Sequence, residues 1–263
     1  MEDFTSALEA CHRDYDARAD EYWWSMHRVE IIVDLAHKYL PAGRALPNYV
    51  DVGCGTGSMA RMIAKKMRSR GLLAAEALVT GLDRNAGLRG LCARNGVDFK
   101  VVDLESGGVP GDCTPERIQL FTAMDVLEHI REPEHLLRGL MEKLSPGALG
   151  LITVPACPAL YSAWDVLVGH YRRYDEASLR SLLTQSGYRI LWQSHLYSFA
   201  LLPAFLMRNL SRETYVPNQQ EHLPQIPEWL NAALKVAGNC ERFFLRASPV
   251  PWGTSLVAVI QKP

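Results

Sequence analysis

The feature that most constrains this chain is the glycine-rich stretch 51–57, with the sequence DVGCGTG, which follows the apolar segment 49–52. Apolar residues then recur at helical spacing from Ser58 to Arg70, so the order predicts a strand, a tight loop and a helix start. Glycines at alternate positions let the backbone turn sharply and leave room for a ligand, while a helix N-terminus attracts negative charge. We therefore expect a nucleotide-like ligand at this loop.

The glycine spacing separates two classes of ligand. A dinucleotide site has the pattern G-x-G-x-x-G, which would put its third glycine at Ser58, so a nicotinamide oxidoreductase is disfavoured. The chain instead has G-x-G-x-G, with Asp51 two residues before the first glycine, which suits a smaller ligand without a pyrophosphate. A glycine turn that binds nothing is the alternative.

The heptapeptide 51–57 resembles the first motif of class I S-adenosylmethionine-dependent methyltransferases. The segment 169–174 (GHYRRY) resembles a Gly-His-x-Arg-Arg-Tyr element of a type 11/12-like subgroup, which also has a Pro-x-Gly-x-Ser-Leu segment like residues 251–256. The resemblance runs from about Tyr22 to the end of the chain. It implies a doubly wound, Rossmann-like α/β fold with S-adenosyl-L-methionine as cofactor, held at the first motif by Asp51, Gly53, Gly55 and Gly57.

Composition limits the other classes of partner. The chain has 263 residues, 48% of them apolar, and a formal net charge of -1, so it suits one domain with an elaboration and gives no bulk electrostatic reason to expect nucleic acid. Its six cysteines form no C-x-x-C pair. We expect reduced thiols, a cytoplasmic protein and no metal site.

No apolar run reaches the ~18 to 20 residues that a membrane-spanning helix needs. The longest candidate, 196–207, is interrupted by Pro203. The amphipathic tract 196–210 leaves peripheral membrane contact open.

The order of elements predicts the architecture. Five strand and helix units in succession predict a parallel sheet with right-handed crossovers. A last strand at 255–261 is expected to insert antiparallel beside the fifth. The result would be a seven-stranded methyltransferase sheet with helical insertions before the last strand. We expect an N-terminal helical lid at 1–47, a cofactor-binding core at 48–194, a helical elaboration of the substrate pocket at 195–250 and the final strand at 251–263. The polar tract 211–225 is predicted to be a surface loop.

Further cofactor contacts follow the strand ends. Asp83 ends the predicted second strand, 77–83, where a carboxylate can accept both ribose hydroxyls, although a helix cap is the alternative. In the third strand, predicted at 97–104, the resemblance implies that Asp103 bonds to the adenine amino group. It also implies that the backbone N–H of Leu104 bonds to the adenine ring. It places the methionine portion against Ala123 and Met124, at the end of the fourth strand, 118–124.

The N-terminal region is helical in pattern, with a second helix predicted from Ser25 to Leu40. Tyr22, Trp23 and Trp24 lie at the break before it. We assign Tyr22 and Trp23 to the cofactor, because in the family this segment is often a lid, and Arg28 to the cofactor carboxylate. Burial of the rings in the core and a solvated position for Arg28 are the alternatives.

Asp125, Glu128 and His129 follow the fourth strand at i, i+3 and i+4, a spacing that would place all three on one face of a helix. We interpret His129 as a possible proton acceptor beside the methyl group. Binding of a hard metal ion and simple stabilisation of a helix start stay open as alternatives.

The segment 155–174 leaves the carboxyl end of the fifth strand, where open α/β sheets bind substrates. We predict His170 to be a catalytic base and Arg172 and Arg173 to bind an anionic group through forked hydrogen bonds. The alternative is that the arginines pair with Asp165 or other nearby acids and fix the loop. The aromatic residues assigned to the substrate are Tyr161, Trp164, Tyr171 and Tyr174.

Together these features predict methyl transfer to an O or N atom of a small molecule that carries a carboxylate or phosphate. A lipid-linked or saccharide acceptor and a cofactor-binding protein without transferase activity are the alternatives. No motif identifies the acceptor.

Overall fold

The computed structural model describes residues 16–43, 45–107, 109, 117–210 and 226–263, with the backbone alone described for 207–210. Two predictions lie outside these residues: the helical pattern in the first fifteen residues and the surface loop at 211–225. Within the described residues, no helix is long and apolar enough to cross a bilayer.

The helices and strands alternate along the chain as the pattern predicted. In order they are α1 (Trp23–Tyr39), β1 (Leu46–Val52), α2 (Ser58–Ser69), β2 (Leu73–Asp83), α3 (Arg89–Arg94), β3 (Asp98–Val101), β4 (Ile118–Met124), α4 (Pro133–Lys143), β5 (Leu144–Pro155), α5 (Ala163–Leu167), α6 (Glu176–Gln185), β6 (Arg189–Leu196), α7 (Leu201–Leu210), α8 (Glu228–Ala247) and β7 (Ser255–Gln261).

The seven strands form one sheet in the order β3-β2-β1-β4-β5-β7-β6. Its neighbouring pairs are parallel from β3 to β5, and β7 runs antiparallel to both β5 and β6. This confirms the predicted doubly wound sheet with an antiparallel strand beside the fifth. The strand order reverses between β1 and β4, and ligands of open α/β sheets bind at the carboxyl ends of the strands at such a point.

Some element boundaries differ from the prediction. β1 and β2 begin at Leu46 and Leu73, before the predicted starts at 49 and 77, and these two residues pair with each other. Residues 75, 76 and 78 of β2 are exposed, so this first part of the strand lies at the surface. β3 ends at Val101, because the chain turns at 104–106.

Two apolar clusters cover the faces of the sheet. One cluster joins Tyr49 of β1 to residues of α1 and α2, and the other joins Val50 and Val52 to residues of α4 and α6. The helix α4 alone buries Leu136, Leu137 and Leu140 completely, at roughly 1.5 to 3 kcal/mol each. The sheet is therefore a rigid support for the residues at its carboxyl edge.

Ion pairs fix α1 to the rest of the domain. Asp34 accepts hydrogen bonds from Nε and Nη2 of Arg242 on α8 at 2.6 and 2.7 Å and from Arg70 at 2.7 Å. Burial alone would raise the pKa of Asp34, but these guanidinium groups lower it to about 2. With its apolar face buried as well, α1 is a core helix, so residues 23–39 of the predicted lid segment do not form a separate flap.

Candidate functional site

The glycine loop after β1 requires glycine for two different reasons. The loop has positive φ angles at Gly53 (67°), Gly55 (52°) and Gly57 (79°), a region that favours glycine. A Cβ at Gly53 would lie 2.5 Å from Cγ2 of Val126, so that position is closed by packing. A Cβ at Gly55 would meet no protein atom within 4 Å, so that position opens into free space beside the loop.

A cleft of about 210 Å³ lies at this loop. Its walls come from the ends of β1 and β4, from the loop itself and from α1. The lining residues are Trp24, Arg28, Asp51, Gly53, Cys54, Gly55, Thr56, Ser58, Met59, Met124 and Asp125. The structure thus brings together five residues predicted for the cofactor from three parts of the chain: Arg28, Asp51, Gly53, Gly55 and Met124. The neighbouring Ala123 is completely buried in the core.

Asp51 is the buried acid at the base of the cleft. Its carboxylate accepts a hydrogen bond from the Thr122 hydroxyl, which is 2.6 Å from the Tyr49 hydroxyl. Burial raises the pKa of Asp51 to about 7, although the hydrogen bond from Thr122 lowers it, and the charge of Asp83 adds to the rise. A positively charged ligand group in the cleft would favour the ionised form.

Asp83 holds the glycine loop in its present shape. Its carboxylate accepts hydrogen bonds from the backbone N–H groups of Gly55 (3.0 Å) and Asn85 (2.9 Å). The short turn that follows is capped by Asn85, whose side chain accepts from the N–H of Gly87, so Asp83 is not its cap. The ribose contact of Asp83 stays a prediction. Asp103 is exposed just beyond β3 and accepts from the N–H of Glu105, and the side chain of Leu104 is buried.

Of the three aromatic residues 22–24, at the start of α1, Trp24 lines the cleft. The guanidinium of Arg28 lies 3.8 Å above the Trp24 ring, and its Nη1 pairs with Oδ2 of Asp125 at 2.6 Å. Arg28 is thus at the predicted place but is paired with a protein carboxylate. Trp24 is one helical turn before Arg28, a spacing that could have indicated that the two side chains meet.

The other two aromatic residues assigned to the cofactor lie elsewhere. Tyr22 is buried, and the ring of Trp23 packs edge-on against Tyr197 and Phe199. These contacts agree with the alternative of core packing and do not support the assignment of Tyr22 and Trp23 to the cofactor.

The chain after β4 departs from the predicted helix. Asp125 has a positive φ of 54°, and only a short 3₁₀ turn, Leu127–His129, follows. Asp125 therefore points to Arg28, whereas Glu128 and His129 lie near His170. The prediction that the three side chains share one helix face is wrong, because the positive φ breaks the helix before it starts.

We call Glu128, His129, His170 and Asp165 the Glu128 cluster. The imidazole rings of His129 and His170 are 4.6 Å apart at nearly right angles, and His170 Nε2 is 3.9 Å from Oε1 of Glu128. Burial and the charge of Asp125 raise the pKa of Glu128, and burial and the charge of His170 lower the pKa of His129. The structure thus joins both predicted catalytic histidines to a buried acid.

The loop after β5 is held over this cluster by its own side chains. The N–H of Tyr171 donates to the carbonyl of Glu128 (2.8 Å), and the Tyr174 hydroxyl donates to the carbonyl of Leu127 (3.2 Å). Arg173 donates to Asp165 (2.7 Å) and to the carbonyl of Ala156 (3.0 Å). Tyr174 and Arg173 thus fix the loop, which agrees with the alternative that an arginine pairs with Asp165 and does not support the substrate contacts predicted for these two residues.

The remaining substrate candidates lie closer to solvent. Arg172 is half-buried and donates to the carbonyl of Arg131 (2.8 Å), and Tyr171 accepts from Arg131 (3.0 Å). Tyr161, Trp164 and Tyr171 are exposed, with the Tyr161 hydroxyl donating to the carbonyl of His170 (2.8 Å). These four residues can still meet an acceptor.

Comparison with known proteins identifies the fold and the family. A family model described as a methyltransferase domain matches residues 23–193. The ubiquinone biosynthesis O-methyltransferase of Coxiella burnetii (strain Dugway 5J108-111) is 24% identical over 137 residues, which are 48% of this chain and 53% of that protein. The chain thus spans about half the length of the curated relatives it matches.

Solved structures agree with the fold at low sequence identity. The plantazolicin methyltransferase BpumL in complex with SAH has 15% identity and a TM-score of 0.58, covering 97% of this chain and 89% of its own. The [4+2]-cyclase SpnF has 20% identity and a TM-score of 0.54, covering 88% and 80%. These similarities show the fold alone.

The family model matches more than half of the chain, and the sheet order and the cleft at the glycine loop agree with it. The chain therefore belongs to the class I S-adenosylmethionine-dependent methyltransferase family.

Proposed function

We propose that this protein transfers a methyl group from S-adenosylmethionine to an O or N atom of a small acceptor that binds beside the Glu128 cluster. The observation that carries the proposal is the position of Asp125. This residue lines the cofactor cleft, and the turn that follows it bears Glu128 and His129. A methyl group at the end of the cleft and an acceptor atom at the cluster would therefore be neighbours.

The cleft fits the cofactor in charge and shape. Asp51 would favour the ammonium group of the methionine portion, and Gly55 leaves its space open. Asp83, Asp103 and Leu104 would receive the ribose and adenine along the ends of β2 and β3. When bound, the cofactor supplies an electrophilic methyl group, so the main task of the protein is to hold the acceptor atom in line with it.

A negatively charged group on the acceptor would bind at Arg172. Of the two arginines predicted for this task, Arg173 is committed to the buried Asp165, whereas Arg172 is half-buried and donates to the backbone carbonyl of Arg131. The guanidinium of Arg131 lies 5.3 Å from the centre of the exposed ring of Tyr171, the residue before Arg172, so it could add a second positive charge for a carboxylate or phosphate.

A lipid-linked acceptor is the second candidate, supported by an exposed apolar surface. On α7, Leu202, Phe205 and Leu206 are 66%, 48% and 50% exposed. This helix packs against the turn Pro158–Leu160, directly before Tyr161 and Trp164. An acyl or isoprenoid chain, or a bilayer holding one, could cover this surface while the polar end reaches the cluster. The name of the Coxiella relative, from ubiquinone biosynthesis, agrees with such an acceptor.

Replacing Gly55 with alanine tests the position of the cofactor. The new Cβ would occupy ligand space, so calorimetry should show at least a tenfold loss in affinity for S-adenosylmethionine. Gly71→Ala is the matched control, because Gly71 also has a positive φ (69°) and open space around it. Both variants should lose about 1 kcal/mol of stability. Equal cofactor affinity in the two variants would contradict the assignment of the cleft.

The pKa of Asp51 predicts a proton linked to cofactor binding. Below pH 7 the free protein carries this proton, and a cationic ligand lowers the pKa, so binding should release a proton and the affinity should rise from pH 5.5 to 7.5. Calorimetry in buffers of different ionisation enthalpy measures the released proton. Asp51→Asn should abolish the release, and Asp34→Asn, a remote carboxyl whose pKa is about 2, should leave it intact. Wild-type binding without proton release would rule out this role for Asp51.

Arg172→Ala tests the anionic acceptor. In assays of labelled methyl transfer to paired hydroxyaryl compounds with and without a carboxylate, the variant should raise KM for the carboxylate compound alone by tenfold or more, or roughly 1.4 to 3 kcal/mol. Arg180→Ala, at an exposed position on α6, is the control. A parallel loss of folded stability and of activity on both compounds would instead mean that Arg172 only holds the loop.

Flotation with liposomes tests the apolar surface. The wild-type protein should float with vesicles, and the Leu202→Ser/Phe205→Ser variant should bind about tenfold less, because two exposed apolar side chains no longer enter the bilayer. Leu78→Ser changes an equally exposed leucine on β2 and should bind like the wild type. If the wild type stays with the soluble fraction, or the double variant floats equally well, the lipid-linked acceptor loses its support.

A further inference from the structure

Glu128 is a buried acid on which the charges of Arg28 and Arg173 act without a hydrogen bond to either carboxyl oxygen. Its side chain is completely inaccessible to solvent, and neither of its oxygen atoms has a hydrogen-bond partner among the residues that the structure describes. The nearest donor, His170 Nε2, is 3.9 Å from Oε1, which is beyond hydrogen-bond distance. An ionised carboxylate in such a place is costly unless a cation compensates it.

One of the two histidines beside Glu128 is held by an outer acceptor. His170 Nδ1 lies 3.1 Å from Oδ1 of the buried Asp165. A ring nitrogen that donates to such an acceptor fixes the tautomer and leaves the second nitrogen with a lone pair. Nε of Arg173 donates to the same oxygen of Asp165, Oδ1, at 2.7 Å. Carboxylates and carbonyls in this outer position orient imidazoles that bind metals.

The donor atoms of Glu128, His129 and His170 all lie within 4.8 Å of one another. We propose that these three side chains bind a divalent transition-metal ion. Metal bonds to imidazole nitrogen and carboxylate oxygen are about 2.0 to 2.2 Å long, so a bound ion would draw the three donors together by roughly 1 Å.

The ligand set indicates the class of metal. Two imidazoles and one carboxylate suit Zn²⁺, Fe²⁺, Mn²⁺ or Co²⁺, whereas Mg²⁺ and Ca²⁺ prefer sites made of oxygen ligands. Three protein ligands also leave at least one coordination position open. Such an open position is typical of metal ions that take part in reactions, because a substrate atom can bind there.

The consequence for catalysis rests on the proposed function, whereas the metal site itself does not. An acceptor hydroxyl in the open position would lose its proton to solvent more readily. Its oxygen would then attack the methyl carbon, forming the O–C bond while the C–S bond breaks and its electron pair stays on sulfur. His129 and His170 would act as metal ligands, in place of the proton-acceptor role predicted from the sequence.

Titration of the metal-free protein, without an affinity tag, with Co²⁺ tests the site. A coordinated Co²⁺ ion absorbs visible light, and we expect saturation at one ion per chain. Glu128→Gln and His170→Asn should each weaken binding by tenfold to a hundredfold or more. His135→Asn is the control, because His135 pairs with Glu132 at 2.9 Å on the surface and should not contribute. Circular dichroism and thermal melting verify that each variant is folded.

The outcomes separate this proposal from the proposed function. Absence of stoichiometric Co²⁺ binding by the wild type would overturn the metal site, as would wild-type affinity in both folded variants or an equal loss in His135→Asn. A protein that binds Co²⁺ as expected but fails to bind S-adenosylmethionine would support the metal site and contradict the proposed function. If Glu128→Gln does not fold, the comparison of His170→Asn with His135→Asn decides.

Discussion

The ion pair between Arg28 and Asp125 is the contact on which the two halves of the site depend. It joins the core helix α1 to the turn after β4, and the Trp24 ring covers its guanidinium. A positive φ at a non-glycine residue is unfavourable, and the pairing helps to hold Asp125 in that conformation. The same turn places Glu128 and His129 next to His170. One contact thus sets both the wall of the cleft and the direction of the cluster.

The two halves of the site use different physical means. The cofactor cleft is shaped by the positive φ angles of the glycine loop and lined by the buried acid Asp51. Both features come from one short segment of sequence. Around the acceptor, the loop after β5 is held by long-range hydrogen bonds, chiefly those of Arg173 to Asp165 and of Tyr171 to the carbonyl of Glu128. Some of the side chains predicted to bind a substrate, such as those of Arg173 and Tyr174, make hydrogen bonds that fix this loop instead. Fewer groups are therefore left to recognise an acceptor, and those that remain are close to the exposed apolar surface of α7.

The comparisons agree with this division. The matched family region, 23–193, includes the cleft and the Glu128 cluster but ends before α7 and α8. A similar fold also occurs in a protein named as a cyclase, so the sheet alone does not determine the reaction. In the proposed function, the acceptor is recognised at the Glu128 cluster and by the elements added after the core. His27 and Glu241 pair at 2.7 Å and tie one of these elements, α8, to α1.

The sequence by itself determined the features that depend on neighbours along the chain. The glycine loop, the strand β4 within its predicted bounds and the antiparallel last strand were all predictable, because backbone conformation and apolar periodicity are local properties. Only the tertiary structure decided that Trp24 and not Trp23 lines the cleft, that Arg173 is consumed by Asp165, and that His170 meets Glu128 across 42 positions of sequence. Such pairings depend on how the loop after β5 returns over the end of β4. The course of this loop cannot be predicted from a local sequence pattern, because it is fixed by the packing of the whole sheet.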